Sequence, residues 1–167
     1  GENKVQEAIE KWSDIKKKYK NLSLHMVGGL QTNKVKQAVS LFDYIHSVDS
    51  YKLAKKIAVE QGKLNRNLKL FIQLNIGNEI QKSGISYSEL KDFKNYCVED
   101  LNLDIIGLMC IPPVSSNLKE IFSKMKIYNE KLELNELSMG MSSDFLEASK
   151  EGSTFVRIGS KIFGNRT

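Results

Sequence analysis

No apolar run in the sequence nears the ~20 residues that cross a bilayer, and no signal-peptide pattern opens it, so neither a membrane protein nor an exported one is expected. Cysteine is scarce. Cys97 and Cys110 have no CxxC spacing and no histidines at metal-ligand intervals, which excludes a disulfide scaffold and a metal site and reads as reduced thiols in a cytoplasmic protein. No GxGxxG follows any strand-like run, so a dinucleotide-binding sheet has little support. Basic residues lack interleaved aromatics: the net charge of +5 comes from 25 basic against 20 acidic residues, and the densest run, Lys16-Lys17-Lys18, reads as a solvated helix face, not a nucleic-acid surface. What is present is ordinary for a globular protein, 41% hydrophobic and 27% charged residues. A length of 167 residues predicts one domain, 1–167, with a sizeable core.

The chain alternates between two patterns. A helical stretch runs to about Tyr19 with Val5, Ala8, Ile9, Trp12 and Ile15 at helical spacing, Asn3 as its expected N-cap and Gln6 closing a capping box. Leu22 to Gly28 reads as a strand, and the residues from Gly29 to Lys34 turn into a helix with Val35, Ala38 and Val39 inward. Phe42 to Val48 is a second strand, ending at Asp49-Ser50, which caps a helix through about Gln61. Leu68 to Ile76 is a third, followed by a polar loop carrying Lys82-Ser83-Gly84 and a helix from about Ser86 to Glu99. Asp104 to Ile111 is a strand stopped by Pro112-Pro113, and a helix from about Leu118 to Glu130 leads to the last two strands.

Six strands, each followed by a helix, argue for a parallel sheet covered by helices. The strands read as continuous apolar runs, the pattern of a sheet buried on both faces. A closed (β/α)₈ barrel needs two more units, roughly 50–60 residues. The expected fold is therefore α/β: a TIM-type barrel with its first strand and most of its second absent. Its open edge at Leu22 is an aggregation risk.

The end of the chain carries the chemistry. Leu137 to Met141 and Thr154 to Ile158 are apolar strands that give way to small and polar residues at helix starts. Ser142 is placed to cap the helix after Met141, with Asp144 in its first turn, and the backbone amides at Gly159-Ser160 point out of the next helix. Two adjacent helix starts with free amides and hydroxyls make an anion site. In a parallel barrel, the loops after the last two strands are where phosphate sits.

These motifs resemble those of the pyridoxal-phosphate homeostasis proteins, whose single domain is like the N-terminal barrel of alanine racemase. The matching segments are Gly1-Glu2-Asn3-Lys4-Val5-Gln6-Glu7, His25 to Lys34, His46 to Ser50, Gln73 to Ile76 with Lys82-Ser83-Gly84, Gly107 to Pro113, Leu137 to Asp144, and Gly152 to Gly164. The resemblance implies a non-catalytic protein that carries or buffers pyridoxal 5'-phosphate in vitamin B6 balance, cytoplasmic and a monomer when full-length. In this family a lysine on the first strand, upstream of Gly-Glu-Asn, holds the cofactor as a Schiff base. The sequence starts at that motif, so the lysine is not in it, and no other lysine is assigned its role.

By the same resemblance, Ser142, Gly159 and Ser160 hold the cofactor phosphate and Arg157 faces the pyridine nitrogen. Arginine cannot give up its proton, so the ring nitrogen stays unprotonated and is a poor electron sink. Asn3 is expected near the ring's edge, and Met109 and His25 at the barrel mouth. His46 is a weaker candidate and Lys82 a further possible phosphate contact, while Gly84 and Gly164 read as backbone punctuation. Two other readings stay open. One is a pyridoxal-phosphate-dependent racemase, which needs a second domain and base that are not identifiable here. The other is a sugar-phosphate enzyme using Asp49 or Glu79, neither of which has an obvious acid–base partner.

Overall fold

The computed structural model describes residues 1–77, 79, 83–114 and 117–164. Helix α1 (Val5–Lys18) precedes β1 (His25–Met26), and a short 3₁₀ turn leads into α2 (Val35–Leu41). Then come β2 (Tyr44–Val48), α3 (Tyr51–Leu64), β3 (Lys69–Gln73), α4 (Leu90–Asn95) and β4 (Asp104–Met109). The chain continues through α5 (Leu118–Lys131), β5 (Glu136–Met141), α6 (Phe145–Lys150), β6 (Phe155–Arg157) and α7 (Ser160–Phe163). All five neighbouring pairs are parallel, in the order β1-β2-β3-β4-β5-β6. Ahead of α1, Glu2 makes a parallel bridge to Met26 along the outer edge of β1.

The sheet is curled. The His25 ring on β1 lies 5.8 Å from the Phe155 ring on β6. In a flat sheet, five inter-strand steps of about 4.8 Å would hold those strands roughly 24 Å apart. The six strands thus form the wall of a partial (β/α) barrel, with the helices outside.

Alternate residues face opposite ways, and the two faces differ. Leu70, Ile72 and Leu74 from β3 and its end, Leu108 from β4, and Leu137 and Met139 from β5 join one apolar cluster with Phe93, Phe122 and Met125 of the helices. Burying each such side chain contributes about 1.5–3 kcal/mol, so this layer supplies most of the fold's stability. Phe71 and Met109 are fully buried too but lie outside that cluster, toward the barrel interior. The strands are not uniformly apolar as read: their inner face carries His25, Tyr44, His46, Phe71, Ser138, Phe155 and Arg157.

Two glycines are dictated by close approach. A Cβ on Gly107 would stand 1.9 Å from the Glu136 carbonyl oxygen across the β4–β5 ladder, and one on Gly28 would stand 2.2 Å from that of Asn3. Gly84 and Gly164 have φ of +129° and +82°, as backbone punctuation requires.

Local expectations fared unevenly. Ser50 does cap α3, its hydroxyl accepting from the Leu53 N–H. Asn3 caps nothing: the chain enters α1 directly from the Glu2 bridge, Lys4 is the extended N-cap, and Gln6 donates to Glu10 instead of closing a capping box. The helix expected from Ser86 to Glu99 is a 3₁₀ turn, α4 and a wider π turn over Tyr96–Asp100. Lys16 is not solvated; it reaches Asp43 at 2.6 Å, and Asp43 also accepts from Arg66 at 2.9 Å and from the Leu24 N–H. That carboxylate ties the ends of α1, α2 and α3 together. Among the described residues, no helix is long and apolar enough to cross a membrane.

Candidate functional site

The C-terminal ends of β5 and β6 converge on one cavity of about 530 Å³, lined by Met141, Ser142, Ser143, Arg157, Ser160 and Lys161. Its rim is set by the turn after β5. The Asp144 carboxylate accepts from the Met141 N–H, and the Asp144 N–H donates back to the Met141 carbonyl. Asp144, not Ser142, stands at the N-cap position of α6, with its side chain turned back to Met141 rather than onto the helix. Ser142 is released from its own helix and serves the neighbouring one: its hydroxyl accepts from the Gly159 N–H at 3.2 Å and the Lys161 N–H at 3.3 Å. Those amides are met by a hydroxyl rather than left free. The donor pair and the adjacent Lys161 ammonium still suit an anion.

Arg157 closes the cavity from inside the barrel. One terminal nitrogen donates to the Ser138 carbonyl at 2.8 Å and to the Ser138 hydroxyl at 2.9 Å, and the other donates to the Cys110 carbonyl at 2.8 Å. Burial lowers its pKa from the ordinary value, though an arginine stays charged. Three bonds to protein leave two of its five N–H donors for a ligand. A group with an anionic phosphate at one end and an unprotonated ring nitrogen at the other fits this donor set.

Of the residues singled out from the sequence, Ser142, Arg157, Gly159 and Ser160 are brought together here. Met109 ends β4 fully buried, in register with Ser138. Asn3 lies against Gly28, just past β1. His25 sits deeper, its ring stacked on Tyr44 at 4.0 Å and joined to Arg157 only through intermediaries: His25 Nδ1 meets His46 Nε2 at 3.0 Å, and His46 Nδ1 meets the Ser138 hydroxyl at 2.7 Å. Burial pushes His25 down to about 4 and His46 down to about 3, so both are neutral at pH 7. Lys82 lies outside the described residues. Asp49 hydrogen-bonds the Ser50 and Ser83 side chains, and burial raises its pKa. The sequence reading omitted Ser143, Lys161 and the Ser138–His46 link. Lys161 was within reach of it, as the residue following Gly159-Ser160.

The sequence pattern of the alanine racemase N-terminal domain matches residues 1–167. At low identity, an alanine racemase from Corynebacterium glutamicum shares the fold, with 15% identity and a TM-score of 0.72 over 98% of this chain and 46% of that one. Nearer relatives narrow the class. A pyridoxal phosphate homeostasis protein of Aquifex aeolicus is 39% identical over 99% of this chain and 76% of its own length, and one of Pasteurella multocida is 36% identical with the same coverage. The structure of PipY from Synechococcus elongatus with PLP bound has 36% identity and a TM-score of 0.88, over 98% of this chain and 80% of that one. The chain belongs to the alanine racemase N-terminal domain family, within its pyridoxal phosphate homeostasis proteins.

Proposed function

We propose that residues 1–167 form a single domain that holds pyridoxal 5'-phosphate without catalysing a reaction on it, as a carrier or buffer in vitamin B6 homeostasis. The observation that carries this is Arg157: a half-buried guanidinium fixed by three hydrogen bonds, with donors to spare, in a cavity edged by Ser142, Ser160 and Lys161. Ser142, Ser160 and the nearby amides would take the phosphate, and Arg157 would donate to the ring nitrogen. When bound, the cofactor supplies an aldehyde that combines reversibly with amines. Arg157 cannot protonate the ring, and this argues for holding over racemisation. PipY with PLP bound supports the choice of ligand. We read the full-length protein as a monomer of the cytoplasm, where two buried free thiols are at home.

Equilibrium titration tests this reading. Pyridoxal phosphate should bind saturably and displace inorganic phosphate, pyridoxal should bind far more weakly, and no D-alanine should form from L-alanine. Absence of saturable cofactor binding, or steady racemisation by the pure protein, would overturn it.

A further inference from the structure

The barrel interior holds a hydrogen-bonded line that the phosphate site does not need. It runs from Arg157 to the Ser138 hydroxyl at 2.9 Å, on to His46 Nδ1 at 2.7 Å, and from His46 Nε2 to His25 Nδ1 at 3.0 Å. Ser138 and His46 are buried, 0% and 1% exposed, and His46 and Ser138 are 92 residues apart in sequence. Aromatic packing fixes the imidazole. Its ring stacks on Phe71 at 4.3 Å and meets the edge of Phe155 at 5.8 Å.

Hydrogen accounting gives the line a direction. Arginine only donates, so the Ser138 oxygen accepts from Arg157. The one hydroxyl hydrogen of Ser138 is then used fully by donating to His46 Nδ1. That places the His46 proton on Nε2, which donates to Nδ1 of His25. Each link of the line then pairs one donor with one acceptor, with a single cation at one end and two neutral imidazoles beyond it. The burial that keeps both histidines neutral agrees with this arrangement.

The geometry points to Ser138 and His46 as positioning residues that lock the Arg157 guanidinium so that its remaining donors stay aimed at the cofactor ring nitrogen. The inference rests on the pyridoxal-phosphate reading above. Without the Nδ1 acceptor, the Ser138 hydroxyl can rotate its hydrogen toward Arg157, and the guanidinium loses one of the contacts that fix its plane. The phosphate end, held by the Ser142 and Gly159 to Lys161 segments, does not depend on the line. Ring binding and phosphate binding should therefore separate when the line is cut.

The experiment compares four forms of the full-length protein: wild type, Ser138→Ala, His46→Phe and His46→Asn. Each is titrated with pyridoxal phosphate, followed by the absorption band of the bound cofactor, and with inorganic phosphate alone. Phenylalanine keeps the stacking on Phe71 but has no acceptor, whereas the asparagine Oδ1 stands where Nδ1 stood. Ser138→Ala and His46→Phe should bind pyridoxal phosphate roughly tenfold more weakly, the loss expected for about one hydrogen bond to a charged group. Their absorption band should shift, phosphate affinity should stay at the wild-type level, and His46→Asn should recover most of the loss. Should His46→Phe fail to fold, Ser138→Ala and His46→Asn decide alone. Wild-type affinity and band position in Ser138→Ala, or an equal loss for phosphate and cofactor, would overturn the positioning role while leaving the carrier reading intact. A wild type that binds phosphate but no cofactor would instead overturn the carrier reading, and this inference with it.

Discussion

The outer and inner faces of the sheet are built from alternating residues of the same strands, yet they obey different rules. Outside, Leu70, Ile72 and Leu108 join one apolar layer with Phe93, Phe122 and Met125, and polar side chains enter it singly, as Asn129 does by accepting from the Leu108 N–H. Inside, two histidines and a serine are joined to an arginine in one hydrogen-bonded line among aromatic rings, and the arginine also donates to the Ser138 and Cys110 carbonyls. Apolar packing is tolerant of detail and tied to volume. A buried polar line is the reverse: it costs little if complete and a great deal if broken. Stability should therefore live on one face and ligand recognition on the other.

The strongest way to break that division is Phe122→Ala. It opens a void in the outer layer and should cost about 3–5 kcal/mol by denaturant unfolding, while protein that remains folded keeps its cofactor affinity. Next comes Arg157→Lys. A single ammonium lacks the planar fork that reaches the Ser138 and Cys110 carbonyls from two separate nitrogens, so cofactor binding should fall by at least about tenfold. Calorimetric unfolding should record a smaller loss, about 1–3 kcal/mol, for the carbonyls left short of donors.

The pH dependence of unfolding sharpens the contrast. Folded pKa values of about 4 for His25 and about 3 for His46, both below the ordinary 6.5, mean that the folded state binds fewer protons than the unfolded one. Stability is then complete above pH 6.5 and should drop steadily as pH falls toward 4. Replacing both histidines with Asn should flatten that slope in thermal melts. Asp43 acts at lower pH: the Lys16 hydrogen bond and its other partners outweigh burial and depress its pKa below 3.8. Its contribution is present above that value and is lost as pH falls through the depressed one. Asp43→Asn should cost about 1 kcal/mol at pH 7, allowing for its exposure, and almost nothing at pH 2. The smallest effect concerns the thiols. Burial pushes Cys97 and Cys110 up to about 12, so a disulfide reagent at pH 8 should label neither until the protein is denatured.

The outer face was legible in the sequence because its signals are local. Apolar spacing announced the helices, and apolar runs announced the strands, whose ladders proved shorter than the runs. The inner face was not, because His46 and Ser138 become neighbours only through the curl of the sheet, and each alone reads as an ordinary buried polar residue. Capping was legible only in part. Ser50 bonds within its own helix, as local pattern implies, but Ser142 serves amides 17 and 19 residues away, and Asn3 follows a strand bridge that no capping rule anticipates. Lys16 looked solvated because its partner, Asp43, belongs to a different helix–strand unit.

The hydroxyl of Ser142 works as a placeholder. On the proposed reading, an anion between the two loops would find no bare amides; it would share or exchange partners with an oxygen already bonded to Gly159 and Lys161. Only the difference between the two sets of bonds appears as affinity. A site with such a resident substitute is suited to lending its occupant rather than keeping it.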